Sequence, residues 1–267
     1  MSLDNVEIVP WQLLGTEGIK QIHAIEQQTW APWLAASYES LEGRAHVNPL
    51  GQLAVVSANG EIYASLSTNQ IDWSGEVGDL PSWDDVAGDP TDYSQTYAPE
   101  GNTTVLMSMN VHPDMQGQQL PSQLVHAITS KAQENEGMQY VIGSFRPSEF
   151  SDTTLEDPNT DFAEYVQAVR EDGLPADKWL RVLTRMGMTQ LAVDEHAMRV
   201  SINVDEFTAL RDASEAVSGQ KWIVSKRPGL APKTWCGETG FFYDLQEGGY
   251  VYMESNVWGL LWERVDE

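Results

Sequence analysis

The stretch at 103–147 holds the residues best suited to bind a charged ligand. Thr103–Val111 is rich in β-forming residues and predicts a strand, which ends before Pro113 because proline cannot donate a hydrogen bond to a β-ladder. A loop from Gln116 then leads to Pro121, which suits the first turn of a helix, where its missing N–H costs nothing. The start of a helix offers free backbone N–H groups and a partial positive charge, so this loop is suited to hold a phosphate group.

The residues after this loop predict a helix and a second strand. Four apolar residues recur at helical spacing and predict one buried helical face: Leu124, Val125, Ile128 and Ala132. Gly137 is suited to end the helix, and Gln139–Phe145 contains a short apolar run typical of a covered strand. Strand, helix and strand in this order predict a βαβ unit with parallel strands.

The run from Val111 to Gly117 resembles the acyl-CoA-binding motif of the GNAT (N-acetyltransferase) superfamily. In that family the pattern is Gln or Arg, two residues, Gly, one residue, then Gly or Ala. Gln116 fits the first position, and Gly117 is commonly present as well. Gln119 and Pro121 stand where the two motif glycines are expected.

The order of the predicted elements before this motif is also similar to the GNAT order. They are a strand at Val6–Trp11, helices at Glu17–Trp30 and around Ser37–His46, and a hairpin of Gln52–Ala58 and Glu61–Ser67. The hairpin is predicted from its Asn-Gly turn. This part of the resemblance covers about residues 5–147.

Short runs in the second half resemble one branch of that superfamily, the large bacterial proteins with a long insertion after the fifth strand. The matching runs are Tyr165-Val166, Arg170–Pro175, Trp179–Arg181, Met198–Val200 and Tyr252 through Asn256–Trp258. The predicted elements here begin with a helix at Phe162–Glu171 and a second helix that ends at Gly187. A strand at Leu191–Val200 and a helix at Asp205–Ala216 follow. The last element is a hairpin of Phe241–Leu245 and Tyr250–Glu254, which ends at Asn256–Trp258. With these runs the resemblance spans nearly the whole chain.

The expected fold is therefore α/β (α+β), with a mixed, centrally splayed sheet flanked by helices. We expect a single domain over 1–267, with a core at about 5–147 and 189–262. Residues 72–102 form an acidic loop insertion, which is either an excursion packed on the sheet or a lid over the substrate. Residues 148–188 form a helical insertion, in which 148–160 is read as a loop.

Composition excludes several classes of function. The 267-residue chain has a formal net charge of −25, which disfavours nucleic acid and anionic membranes as partners. The chain has a single cysteine, Cys236, which excludes an internal disulfide and a multi-cysteine metal site. No pair of histidines has metal-ligand spacing either, so no metal is expected. No apolar run is long enough to span a membrane and no signal-peptide pattern is present, so a cytoplasmic location is predicted.

The resemblance implies a specific binding site for an acyl-CoA. In such a fold the strands at Thr103–Val111 and Gln139–Phe145 splay apart, and a bulge in the first strand directs backbone N–H groups at the pantetheine arm. The amides near Met109 and Val111 would bind pantetheine and the thioester oxygen. The residues expected to hold the pyrophosphate are Gln116, Gly117, Gln118, Gln119 and Ser122.

Four side chains are candidates for the chemistry. Ser144 is expected near the reaction centre, where it either relays a proton or is a plain strand serine. Arg146 either holds a carboxylate or forms a structural salt bridge. Asn110 either polarises a carbonyl or has a capping role. Tyr165 is the nearest tyrosine for the acid that such sites often use, although it also fits a core-facing helix position.

The resemblance therefore predicts an acyltransferase with acetyl-CoA or another acyl-CoA as cosubstrate. The first expectation is N-acetyl transfer to a small amine or amino acid. Related folds include decarboxylases, so the fold does not fix the chemistry. One alternative is a decarboxylase or S-acyltransferase that acts on malonyl-CoA or on a carrier-protein thioester. Another is a non-catalytic module that binds acyl-CoA. The expected partner is a small-molecule acceptor, with an acyl carrier protein and a homodimer as further options.

Overall fold

The computed structural model describes residues 6–90, 92–157, 159–218, 223–225, 234–236, 240–245 and 248–265. At 155, 214–218, 223–225 and 234–236 it describes the backbone alone. The chain divides into two compact units. The first comprises Met1–Ser144, Met186–Leu191 and Trp258–Glu267, and the second comprises Phe145–Arg185 and Ala192–Val257. The expectation of a single domain over 1–267 stays a prediction.

The first unit is built on a mixed β-sheet. Its elements in chain order are β1 (Val6–Pro10), α1 (Gly15–Thr29), α2 (Tyr38–Val47), β2 (Leu53–Ser57), β3 (Ile62–Ile71), α3 (Trp83–Ala87), β4 (Thr103–Val111), α4 (Leu120–Glu134) and β5 (Tyr140–Phe145). The strands lie in the order β1-β2-β3-β4-β5, and their neighbours are antiparallel except for β4 and β5, which run parallel. The predicted mixed sheet and its βαβ unit are confirmed.

A row of large apolar side chains holds α1 and α2 against this sheet. The buried cluster consists of Trp11, Ile19, Ile22, Ile25, Leu41, Ala54 and Ile62. Burial of each of the larger aliphatic members contributes about 1.5–3 kcal/mol. The predicted Asn-Gly hairpin is confirmed as well: Gly60 adopts φ +81° and donates its N–H to the carbonyl of Ser57 at 2.9 Å, a backbone conformation that favours glycine.

The described residues of the segment at 72–102 pack within the first unit through buried aromatic and apolar side chains. Trp73 and Tyr93 are 5% and 4% exposed, and the Tyr93 hydroxyl donates to the carbonyl of Thr68 at 2.9 Å. Asn69 of β3 donates its side-chain N–H to the carbonyl of Val86 at 2.9 Å. These contacts favour the packed excursion over the lid.

The second unit contains helices and a further group of strands. Its elements are α5 (Phe150–Glu156), α6 (Phe162–Gln167), α7 (Lys178–Arg185), β6 (Thr189–Ile202), α8 (Val204–Ser218), β7 (Ile223–Ser225), β8 (Thr234–Cys236), β9 (Phe241–Leu245) and β10 (Gly249–Glu263). Strands β10, β9, β8 and β7 pair in that order, all antiparallel, and β6 pairs with β10. The helix at Asp205–Ala216 and the closing hairpin are confirmed.

The last strand is longer than its sequence suggests. The prediction that the hairpin ends at Asn256–Trp258 is wrong, because β10 continues to Glu263. Its final residues belong to the first unit, where β10 follows β5 in the sheet. Just beyond its end, Arg264 donates its backbone N–H to the carbonyl of Gln139 at 2.8 Å. Pairing with a strand distant in sequence extends β10, and no local pattern reports such pairing.

Two predictions for 148–188 are also wrong. Residues 148–160 were expected to form a loop, but α5 occupies Phe150–Glu156. The ring of Phe150 packs edge-to-face on Phe162 with centroids 4.8 Å apart, and this tertiary contact stabilises a helix too short to show periodicity.

The helix predicted at Phe162–Glu171 ends at Gln167. The chain reverses beyond it, since Gly173 adopts φ +76° and Val169 forms an isolated antiparallel bridge with Pro175. Val169, which falls inside the predicted helix, is 64% exposed.

Candidate functional site

Strands β4 and β5 pair along only part of their length. Their parallel register runs from Thr103 opposite Tyr140 to Leu106 opposite Gly143. Strand β4 continues to Val111, and this last part remains paired with β3 on its other side. Within the described residues, the edge of β4 beyond Leu106 therefore has no ladder partner in β5, and the two strands are open at this end.

A β-bulge in β4 explains why the strands diverge here. Ser67 of β3 lies opposite Ser108, whereas the next residue, Thr68, lies opposite Leu106. Met107 is thus an extra residue on the β4 side. A bulge bends its strand and increases the local twist, so β4 turns away from β5 directly after the last paired residues.

The bulge leaves two backbone N–H groups directed at the opening. His112 donates its N–H to the carbonyl of Tyr63 in the direction of β3, at 2.8 Å. Backbone N–H groups alternate in direction along an antiparallel strand, so those of Met109 and Val111 point away from β3. Both residues are half-buried. Binding of pantetheine and of the thioester oxygen requires this orientation of the two N–H groups. The binding itself stays a prediction.

The loop between β4 and α4 presents further backbone donors to solvent. Gln116, Gly117, Gln118 and Gln119 are exposed, and Ser122 lies in the first turn of α4. In the part of the chain that the structure describes, no acceptor takes the N–H groups of Gly117, Gln118, Gln119 or Ser122. Free donors at the start of a 15-residue helix fit a phosphate group.

Gln119 lies in an unusual backbone conformation at the start of α4. Its φ of 59° and ψ of 20° are left-handed, a region that non-glycine residues visit at a cost. The family pattern has glycine here, and the structure shows why a residue without a side chain is favoured. No cap hydrogen bond involves the Gln119 side chain.

Asn110 belongs to a buried hydrogen-bonded network. Its side-chain N–H donates to Oε2 of Glu26, and its Oδ1 accepts from the Thr29 hydroxyl at 2.9 Å and from the indole N–H of Trp30. Asn110 is 3% exposed. Its carbonyl oxygen therefore has two donors already, so its arrangement supports a positioning role more than the direct polarisation of a substrate.

Glu26 is a residue of this site that sequence reasoning missed. It is 2% exposed, and its Oε1 accepts the backbone N–H of Ala36 at 3.2 Å. Burial raises the pKa of Glu26, an effect that the Ala36 N–H, the charge of Arg44 and the Asn110 N–H partly oppose. The available signal was an acidic residue next to Ile25, on the face of α1 that Ile19 and Ile22 define as buried.

Ser144 lies immediately beyond the last residue of β5 that pairs with β4. It is 9% exposed, and its hydroxyl has no hydrogen-bond partner among the described residues. A buried hydroxyl without a partner is uncommon in folded proteins. The arrangement is compatible with a hydroxyl that bonds a ligand in the opening.

Arg146 forms a salt bridge within the second unit. Its Nη1 lies 2.9 Å from Oε1 of Glu254, whose side chain is fully buried, while 27% of the Arg146 side chain is exposed. Burial opposes the charged guanidinium, but the charge of Glu254, the charge of Tyr252 and the hydrogen bond to Glu254 together outweigh it and raise the pKa of Arg146. Arg146 also lines a cavity of about 240 Å³ with Ser148, Ser151 and Ser255. Its structural role is evident, and carboxylate binding stays a prediction.

Tyr165 is held in a separate cluster of the second unit. Its hydroxyl donates to Oδ2 of Asp177 at 3.0 Å, and Asp177 also accepts the backbone N–H of Leu180 at the start of α7. Burial and then the charge of Asp177 raise the pKa of Tyr165. A hydroxyl that is less acidic than usual and already bonded is a poor proton donor, so this geometry gives no support to an acid role.

The candidate residues thus fall into two groups. Asn110, Met109, Val111 and Ser144 lie on β4 and β5 of the first unit, whereas Arg146 and Tyr165 belong to the second.

Across the described ranges, no cluster of three or more His, Cys, Asp and Glu side chains could hold a metal ion. No helix in those ranges is long and apolar enough to cross a membrane. Cys236 lies where the backbone alone is described.

Comparison with known proteins identifies the fold. The sequence matches no protein-family model and no curated protein. The loading GNATL domain of CurA from Lyngbya majuscula is similar, with a TM-score of 0.59, 19% identity, and coverage of 71% of this chain and 87% of that one. The GphF GNAT-like decarboxylase in complex with isobutyryl-CoA has a TM-score of 0.57 and 18% identity, over 72% of this chain and 89% of the other. The chain therefore has the GNAT fold.

Proposed function

We propose that the protein is an acyl-CoA-dependent acyltransferase that transfers an acetyl group to a small amine or amino acid. The observation that supports this proposal is the early end of the pairing between β4 and β5, after Leu106 and Gly143. The opening that follows is bordered by the outward-facing N–H groups of Met109 and Val111. A pantetheine arm needs such a slot between two strands, with backbone donors along one side.

The residues of the first unit have distinct roles in this proposal. In the reaction, an amine nitrogen attacks the thioester carbonyl and the CoA thiolate leaves. The N–H groups of Met109 and Val111 would donate to the carbonyl oxygen, where negative charge develops. Ser144 would donate its hydroxyl hydrogen to the departing sulfur and take up the proton that the amine nitrogen loses as the amide forms. Asn110, fixed by Glu26, would hold the end of β4 in place.

The loop residues would bind the cosubstrate rather than act on it. The free N–H groups of Gly117, Gln118, Gln119 and Ser122 would hold the pyrophosphate of an acyl-CoA at the start of α4. The negative charge of the chain opposes this anion at long range, but at physiological salt such repulsion is screened beyond about 8 Å. The similar GNAT-like decarboxylase, whose structure holds isobutyryl-CoA, supports an acyl-CoA as the ligand.

A second candidate function is decarboxylation or S-acyl transfer on malonyl-CoA or a carrier-protein thioester. The cavity of about 240 Å³ beside Arg146 favours it, because Arg146, Ser148 and Ser151 present a guanidinium and hydroxyl groups to one small space. A guanidinium is the group best suited to a carboxylate. In this case the partner would be a carrier protein, or the acyl group itself would be acidic.

Binding of acyl-CoA is the first test. We expect acetyl-CoA to raise the melting temperature, and Gln118→Glu to reduce that effect because a carboxylate in the exposed loop repels the phosphates. Gln133→Glu, near the other end of α4, is the matched control and should bind as the wild type does. If acetyl-CoA, malonyl-CoA and free CoA all fail to shift the melting temperature at millimolar concentration, the acyl-CoA proposal is wrong.

Release of CoA then distinguishes the candidate functions. It should be followed by chromatography, which separates free CoA from the thiol of Cys236 in the protein. Release from acetyl-CoA that depends on an added amine supports N-acetyl transfer. Release or carbon dioxide loss from malonyl-CoA without an amine supports the second candidate, and binding without release of any kind supports a non-catalytic acyl-CoA-binding module.

A further inference from the structure

A second cavity, this one in the first unit, lies at the closed end of the β4–β5 pair. It has a volume of about 520 Å³, within the range of about 300–1,000 Å³ that small-molecule sites occupy. Thr104, which borders it, pairs with Val141 in the part of the sheet where β4 and β5 are joined. The cavity is therefore distinct from the opening beside Met109 and Val111.

The second half of α4 and the loop before β2 supply an apolar lining. Ile128, Ala132 and Met138 are 4%, 3% and 3% exposed and form part of the wall. Leu50 also lines the cavity and is 61% exposed. A ligand with an apolar body would cover Leu50 and contact this wall, and the removal of apolar surface from water would stabilise the complex.

Lys131 supplies a positive charge in the same cavity. Its ammonium group donates to the carbonyl of Leu50 at 3.1 Å. An ammonium has three donors, and among the described residues none accepts the other two. Burial lowers the pKa of Lys131, while the neighbouring Glu134 carboxylate acts in the opposite direction. An anionic group beside Lys131 would use the remaining donors and compensate for the desolvation.

We propose that this cavity binds a small organic carboxylate with an apolar body. The carboxylate would pair with the Lys131 ammonium, and the body would lie against Ile128, Met138 and Leu50. Tyr97 also lines the cavity, and its hydroxyl can donate to a second carboxylate oxygen. Glu134 lines the cavity too but is exposed, so solvent weakens its repulsion of such a ligand.

Hexanoate is a suitable probe, and methionine methyl groups are suitable reporters. In protein labelled with [¹³C-methyl]methionine, the Met138 signal reports on this cavity and the Met109 signal reports on the opening between the strands. Each signal is assigned by a Met→Leu substitution. We expect hexanoate to shift the Met138 signal saturably without moving Met109, and to bind about tenfold more tightly than 1-hexanol or hexylamine because those lack the negative charge.

Three substitutions on the exposed or half-exposed rim, with one control on α1, test the roles of charge and of apolar contact. Lys131→Gln should weaken hexanoate about tenfold, whereas Lys20→Gln on α1, with a side chain 60% exposed, should leave it unchanged. Glu134→Gln should strengthen hexanoate binding because it removes a repelling carboxylate. Leu50→Ser changes an exposed residue and should weaken all three probes without affecting the fold.

Several results would overturn the proposal. They are an unmoved Met138 signal at high hexanoate concentration, equal affinity for 1-hexanol and hexanoate, or unchanged hexanoate affinity in Lys131→Gln. Acetyl-CoA is expected to move Met109 and not Met138. A failure of acetyl-CoA to bind would count against the proposed acyltransferase and leave the carboxylate site intact, so the two proposals fail independently.

Discussion

Asn110 of β4 donates its side-chain N–H to the carboxylate of Glu26 on α1, a residue 84 positions earlier in the chain. The contact lies beside the part of β4 that has left β5. It ties the helix to the strand at the point where the sheet opens, and both partners are almost fully buried. The position of the end of β4 therefore depends on a polar contact in the protein interior, where each lost partner has a high cost.

The buried carboxylate of Glu26 should make stability depend on pH. Its pKa in the folded protein lies above the ordinary value of 4.5, so the folded state holds a proton that the unfolded state has lost in the window between the two values. Stability from this group is present below that window and falls as pH rises through it. The unfolding free energy of the wild type, measured relative to Glu26→Gln, should therefore decrease as pH rises above 4.5 until the carboxyl is ionised in the folded state, by at most about 1.4 kcal/mol per pH unit.

Denaturant unfolding of both proteins between pH 5.5 and pH 8 measures this difference and avoids the pI of about 4.3. Glu17→Gln is the matched control, because Glu17 lies on the same helix with its side chain 77% exposed, and its difference from the wild type should stay flat. A wild-type advantage that increases with pH would contradict the assignment of Glu26.

Asn110→Ala should destabilise the protein by about 1–3 kcal/mol, because it removes a donor to the buried Glu26 carboxylate and an acceptor of the Thr29 hydroxyl and the Trp30 indole N–H. Ser108→Ala, at a half-buried position of the same strand, is the control and should cost much less. The denaturation midpoints of the two variants measure the effect. Equal midpoints would show that the network does not stabilise the end of β4.

Gln119→Gly should tighten acetyl-CoA binding. Glycine adopts the left-handed conformation of Gln119 at less cost, and it removes a side chain from the place where a pyrophosphate would approach. Gln118→Gly is the control, because it shortens a side chain in the same loop at a residue without a positive φ. Isothermal titration with acetyl-CoA gives both affinities, and weaker binding by Gln119→Gly would show that the loop holds its ligand through the glutamine side chain.

Arg146→Met should destabilise the protein by about 3–5 kcal/mol, since it leaves the fully buried charge of Glu254 without its partner. The matched control is Arg170→Met. Arg170 pairs with Asp172 at 3.7 Å with both side chains about half exposed, and loss of such a surface pair changes stability by less than about 1 kcal/mol. Thermal and denaturant unfolding measure both. A loss of similar size in the two variants would argue against a buried role for the Arg146 salt bridge.

Much of the site could be located from the sequence because its residues are local to one βαβ unit. The strand at Thr103–Val111 was predicted with its observed bounds, and the helix beyond Pro121 and the strand ending at Phe145 followed from apolar spacing. Glu26 was missed because its partner, Asn110, is far away in sequence. The α5 helix and the extension of β10 were missed for the same reason: a packed ring and a distant strand stabilise them.

The sequence by itself determined the order of β1–β5 with α1, α2 and α4, the Asn-Gly hairpin, the loop that opens α4 and the acidic character of the chain. These properties depend on residue type and on spacing over a few turns, which local physics fixes. Only the tertiary structure decided where β4 and β5 separate, that Met107 is the bulged residue, and that Arg146 pairs with Glu254. Each of these depends on register or contact between segments that are far apart in the chain. The free energy of such pairing depends on both segments, so the sequence of one segment alone does not predict it.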